Sequence, residues 1–147
     1  MSDFRHLTPT MLVSPQITSG DVAKAAQDGV TMVINNRPDG EAADQPEGAE
    51  IENSAREAGL DYVAIPITHA GFSEAQVNAM VDALGKAKGP ILAYCRSGTR
   101  STLLWSLAQA LLGKDKEEII AAAEGAGYDI SPIEPALDMY VARGQQL

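Results

Sequence analysis

Ile91-Leu92-Ala93-Tyr94-Cys95-Arg96-Ser97-Gly98-Thr99-Arg100-Ser101 joins a short apolar run to a tight polar loop, and the loop opens into a long apolar helix. Buried strand, short loop and buried helix in that order make one half of an α/β crossover. A loop at such a junction collects backbone N–H groups without intrahelical partners, and the helix dipole adds positive potential. Arg96 and Arg100 add two cations, and Arg100, at the loop's end, can grip an oxyanion through two parallel bonds. The loop is therefore expected to bind anions and to favour the thiolate of Cys95, which is the nucleophilic form. A single cysteine is more often a small buried apolar residue. Here two arginines, a glycine and flanking hydroxyl residues surround it between strand and helix signals, and that combination marks a site.

Working outward, Ser101 to about Leu112 is apolar nearly all round and predicts a buried helix, with Trp105 as a core anchor. Gly89-Pro90 breaks the preceding helix, in which Val77, Met80, Val81 and Leu84 form one stripe behind the capping box Ser73-Glu74-Ala75-Gln76. Leu60–Ile67 and Val30–Ile34 read as further strands, the second apolar on both faces as a central parallel strand is. Thr18-Ser19-Gly20-Asp21 starts a helix that Gly29 stops, and another spans about 49–58. Residues 1–17 read as a strand or hairpin at the sheet edge, and 41–50 as an acidic solvated loop. Helices at about 115–124 and from Pro135 to about Arg143 close the chain. Strands alternating with helices predict a mainly parallel sheet covered on both faces, in one domain over 1–147. Ligands in such sheets bind beyond the carboxyl ends of the strands, which gathers the turn Asn35–Gly40, the loop Thr68–Phe72 and the Cys95–Arg100 loop on one rim.

A net charge of −9 argues against nucleic acid and anionic membrane surfaces, which would repel the chain at long range. The cationic loop is then a local island suited to small anions. No apolar run approaches a spanning helix and the first residues lack a secretion signal's apolar core, so a cytoplasmic location is expected. One cysteine excludes an internal disulfide and leaves no resolving thiol, so any relay ends on another molecule. His6 and His69 are too few and too far apart to suggest a metal, and no cofactor is expected.

Tyr94-Cys95-Arg96-Ser97-Gly98-Thr99-Arg100-Ser101, with its Cys-x4-Arg spacing, is similar to the active-site loop of single-domain rhodaneses, which carry sulfur as a cysteine persulfide. The rest of the chain resembles the phosphatase-like family of bacterial domains fused to, or encoded beside, metallo-β-lactamase-type sulfur dioxygenases. That resemblance runs through Val33-Ile34-Asn35-Asn36-Arg37-Pro38, Tyr62-Val63-Ala64-Ile65-Pro66-Ile67 and Gly127-Tyr128-Asp129-Ile130-Ser131-Pro132. It implies a dual-specificity-phosphatase-like α/β fold, with a mainly parallel central sheet flanked by helices.

Fold and loop point at different chemistries. Tyrosine phosphatases carry Cys-x5-Arg, usually behind a histidine, and an aspartic general acid on the loop after an earlier strand. This chain has Cys-x4-Arg, Tyr94 before the cysteine, and His69 where the aspartate is expected; no aspartate lies between Asp61 and Asp82. Shortening the loop removes a donor for the equatorial phosphoryl oxygens, and a missing acid forfeits about 10²–10⁴ in rate. Sulfur transfer needs neither. The first expectation is a sulfurtransferase that takes sulfur from a small anionic donor onto Cys95 and gives it to an external thiol, cyanide or sulfite. Arg100 orients the anion and Arg96 adds surface charge. Ser97, Gly98 and Thr99 supply backbone donors, Ser101 caps the helix or donates to Cys95, and His69 can reach the anion. Arg37 can reach it too, though a loop-fixing salt bridge or hydrogen bond is the simpler role for Arg37. The alternatives are a cysteine-dependent phosphatase, with His69 as its acid, and a non-catalytic anion-binding or persulfide-relay module working with a sulfur dioxygenase.

Overall fold

The middle strands of the sheet are buried on both faces, and the alternation of their side chains makes two cores from one sheet. The structure, a computed structural model, describes residues 2–146. The chain runs β1 (Arg5–Thr8), β2 (Met11–Ser14), α1 (Ser19–Gln27), β3 (Met32–Asn35), α2 (Gly48–Glu57), β4 (Asp61–Ala64), α3 (Glu74–Lys86), β5 (Ile91–Tyr94), α4 (Thr99–Leu111), α5 (Lys116–Gly125) and α6 (Glu134–Gly144), with a 3₁₀ turn at Ser131–Ile133. The sheet order is β1-β2-β5-β3-β4. Only β1 and β2 pair antiparallel; the other three pairings are parallel. On β5, Ile91 and Ala93 join the core built with α3, α4, α5 and α6. Leu92 and Tyr94 join Leu12, Val33, Val22 and Ile51 in the core under α1 and α2. The expected α/β architecture, a mainly parallel sheet flanked by helices, is the one observed.

Three local expectations are corrected. The hairpin of residues 5–14 does not lie wholly at the edge: β1 is the edge strand, while β2 is inserted between β1 and β5 and is fully buried. The fourth strand ends at Ala64 rather than Ile67 because Pro66 has no N–H to donate. Ile65 and Ile67 still bond alongside the end of β3, their N–H groups reaching the carbonyls of Asn35 (2.9 Å) and Asn36 (3.0 Å). Helix α4 begins at Thr99, with Gly98 as its N-cap, so the polar loop is shorter than its residues suggest. The two capping boxes occur as read, Thr18 with Asp21 and Ser73 with Gln76. Helix α4 is buried along nearly its whole length, its polar Thr102 and Ser106 turned back onto the carbonyls of Gly98 and Thr102. Among the described residues no helix is long and apolar enough to cross a membrane.

Candidate active site

The parallel strands β5 and β3 end side by side, and their carboxyl ends carry the loops that make the site. Cys95 follows Tyr94 directly and is fully buried. Its own N–H donates to the Ser14 carbonyl (3.3 Å), and Gly98 N–H donates to its Sγ (3.0 Å). That second bond requires a sharp turn, and Gly98 makes it at φ +90°, where a Cβ would be strained. A Cβ there would also overlap the Tyr128 hydroxyl oxygen. Tyr128 belongs to the segment after α5, and its hydroxyl donates to the Ser97 carbonyl (3.0 Å). Arg5 lies over its ring, 5.3 Å from the centroid. Burial raises the Tyr128 pKa, so the phenol stays a donor at neutral pH.

A closed ring of polar contacts joins the loops. Arg100 donates to both oxygens of Glu41, Nη1 to Oε2 at 2.7 Å and Nη2 to Oε1 at 2.8 Å, and Nη1 also reaches the Ile67 carbonyl at 2.8 Å. Arg37 donates through Nε to Glu41 Oε1 (2.9 Å) and through Nη1 to Gln16 Oε1 (3.0 Å). Gln16 in turn sends its N–H to the Arg96 carbonyl (3.4 Å). Behind this ring Asn36, with no exposed surface, donates to the Ile65 carbonyl (2.9 Å) and accepts from Ser101 Oγ (2.8 Å). The ends of β2, β3, β4 and β5 are thereby locked to the first turn of α4.

Hydrogen bonds from Arg100, reinforced by those from Arg37, hold the Glu41 carboxyl well below its ordinary 4.5, at about 2. A carboxylate whose pKa is lowered by folding stabilises the protein above the unfolded value near 4.5 and loses that contribution as pH falls toward about 2. Glu41→Gln is therefore expected to flatten the decline of the thermal midpoint between pH 4.5 and about 2. Midpoints that fall in parallel for wild type and variant would remove Glu41 from the explanation of acid sensitivity.

The structure redistributes several expected roles. Arg37 is buried, and its bonds to Glu41 and Gln16 make it a loop-fixing residue rather than a free anion ligand. Ser101 neither caps α4 nor donates to Cys95; it lies inside the helix and donates to Asn36. Thr99 N–H turns to Ser97 Oγ (3.3 Å) and Gly98 N–H to Sγ, so two of the three expected backbone donors serve the loop's own atoms. Arg96 is exposed, as a surface charge should be. His69 sits exposed on the Thr68–Phe72 loop, where Thr68 pairs with Gly71 across a single bridge. Four participants escaped the reading of the sequence. Glu41 lies in a stretch that composition reads as a solvated acidic loop, and nothing in local spacing marks Gln16, Asn36 or Tyr128 as part of the site. Asn35-Asn36-Arg37, two buried amides before a buried arginine, is the one signal that could have found part of this ring.

The chain matches the family model described as "Beta-lactamase hydrolase-like protein, phosphatase-like domain" over residues 3–112. It is 32% identical over 121 residues to the beta-lactamase hydrolase-like protein of Xylella fastidiosa, covering 82% of this chain and 28% of that protein. It thus spans under a third of the length of that curated relative. Among solved structures, a phosphatase-like protein of Neisseria meningitidis superposes with a TM-score of 0.81 at 35% identity, covering 92% of this chain and 96% of that one. Tk-PTP superposes with a TM-score of 0.71 at 12% identity, over 98% and 97% of the two chains, and shows that the two share a fold.

Proposed function

The chain belongs to the phosphatase-like domain family of the beta-lactamase hydrolase-like proteins, and from the geometry of its Cys95 loop we propose that Cys95 acts as a nucleophile in sulfane-sulfur transfer. The observation that carries this reading is the contraction of the Cys95–Arg100 loop onto the sulfur itself, with Gly98 N–H 3.0 Å from Sγ. A phosphoryl group passing in line needs donors for three equatorial oxygens, and here Gly98 and Thr99 N–H are held by loop atoms. A terminal sulfur is one atom and asks for less. In the first half-reaction the Cys95 thiolate attacks the outer sulfur of the donor. The donor's S–S bond breaks, a thiolate or sulfite leaves with the electron pair, and Cys95 becomes a persulfide. In the second, an acceptor thiolate takes the outer sulfur and Cys95 returns to thiolate. Since the chain holds no second cysteine, the acceptor is another molecule, and a sulfur dioxygenase is the partner expected to receive the sulfur downstream.

A cysteine-dependent phosphatase is the second reading, and the comparisons favour it over sulfur transfer: the family description and the Neisseria relative speak of phosphatases. In that case the acid must come from the exposed His69 or from water. Intact mass of reduced protein incubated with glutathione persulfide or thiosulfate separates the two, run beside hydrolysis of an aryl phosphate. A one-sulfur adduct that cyanide removes and that Cys95→Ser lacks is the expected result. An unmodified Cys95 with Cys95-dependent phosphate release would overturn sulfur transfer in favour of the phosphatase.

A further inference from the structure

We infer that Glu41 is the charge-selecting residue of this site, its carboxylate filling the Arg100 fork where two oxygens of an inorganic dianion would bind, so that the donors accepted are organic persulfides. The inference rests on the sulfur-transfer reading and names its substrate class. Both terminal nitrogens of Arg100, at the end of the Cys95 loop, are engaged by Glu41 at 2.7 and 2.8 Å. This carboxylate is not a passing surface contact. Arg37, only 5% exposed, holds Oε1 from the other side and is itself fixed by Gln16. The Glu41 backbone is tied as well: its N–H donates to Gln45 Oε1 (3.1 Å), and Gln45 Nε2 donates to the Pro38 carbonyl (2.9 Å).

A dianion approaching Cys95 meets a fork already occupied by a carboxylate. It must displace Glu41 from its two charged partners or remain outside, because like charges at such range repel. An organic persulfide reacts as neutral R–S–SH at its outer sulfur and presents no oxyanion there that needs the fork. Its transfer balances without any other reactant: the Cys95 thiolate takes the outer sulfur and the parent thiolate departs.

Two measurements test this. Sulfate binding, followed by calorimetric or NMR titration, is expected to tighten at least about tenfold in Glu41→Gln, while Glu41→Asp, which keeps the charge, stays near wild type. The rate of Cys95 persulfidation by thiosulfate, taken as a ratio to that by glutathione persulfide, is expected to rise by a similar factor in Glu41→Gln. Gln45→Ala keeps every charge and loosens the hold on Glu41, so it should move both readings the same way by less, and it serves if Glu41→Gln folds poorly. Sulfate binding that is unchanged or weaker in both Glu41→Gln and Gln45→Ala would overturn the inference and make Glu41 a mere positioner of Arg100. If no donor loads Cys95 in any variant, the sulfur-transfer reading fails, and the sulfate titration still decides whether Glu41 screens anions.

Discussion

Gly98→Ala is expected to lower Cys95-dependent turnover by about 10²-fold or more, since displacing a reacting group by an ångström has effects of that size. Two independent causes act together. At φ +90° the added Cβ crowds its own backbone, at about 1–2 kcal/mol. It also overlaps the Tyr128 hydroxyl and comes to 3.0 Å from Cζ of that ring. Either the tyrosine retreats and drops its bond to the Ser97 carbonyl, or the loop opens and Gly98 N–H leaves Sγ. Steady-state turnover of the wild type and variant, with the thermal midpoint as a folding control, checks this. Adding Tyr128→Phe removes the colliding oxygen and is expected to restore some stability but little turnover, because the backbone strain remains. Full turnover in Gly98→Ala alone would mean that the loop does not need this turn.

The second large effect is on stability. Asn36→Ala is expected to destabilise the fold by about 2–4 kcal/mol, because it strands the Ile65 carbonyl and the Ser101 hydroxyl in a buried place, each unpaired group costing about 1–3 kcal/mol. For a chain of this size that is a fall of roughly 5–15 °C in the thermal midpoint. Ser101→Ala removes only one of the two bonds and should lower the midpoint by less. The effects of the pair should be non-additive in a double-mutant cycle, since both lose the same hydrogen bond. A midpoint within a degree or two of wild type would mean that water fills the gap.

The loop Cys95–Arg100 was legible because local chemistry marks it: an apolar strand, a cysteine, two arginines and a glycine at one junction. Helix ends were legible for the same reason, as Ser73 and Gln76 show. The alternation of strands and helices gave the parallel sheet and placed three loops on one rim, and Arg37, Ile67 and Arg100 do meet there. What could not be read was the pairing across that rim. Glu41 sits among other acidic residues in a stretch whose composition says only that water can reach it, and its partner is 59 residues away. Tyr128 contacts Ser97 from 31 residues beyond. Neither distance leaves a trace in local spacing. The role of Ser101 was missed for a smaller reason: Gly98 lets α4 begin two residues earlier than the apolar pattern, and this turns the serine into the interior.

The Tyr128 contact separates two kinds of boundary. The family model ends at Leu112, but the pieces that complete the site do not. The tail after α4 supplies the phenol against which the Cys95 loop is braced, and Leu137 and Tyr140 of α6 close the core on the outer side of α4. A fragment excised at the family's border would keep Cys95, Arg100 and Glu41, yet bare one flank of its central helix and lose the strut behind its nucleophile. For this domain the stretch that identifies the family is shorter than the stretch that folds, and a fragment meant to carry its chemistry elsewhere has to be cut by the second.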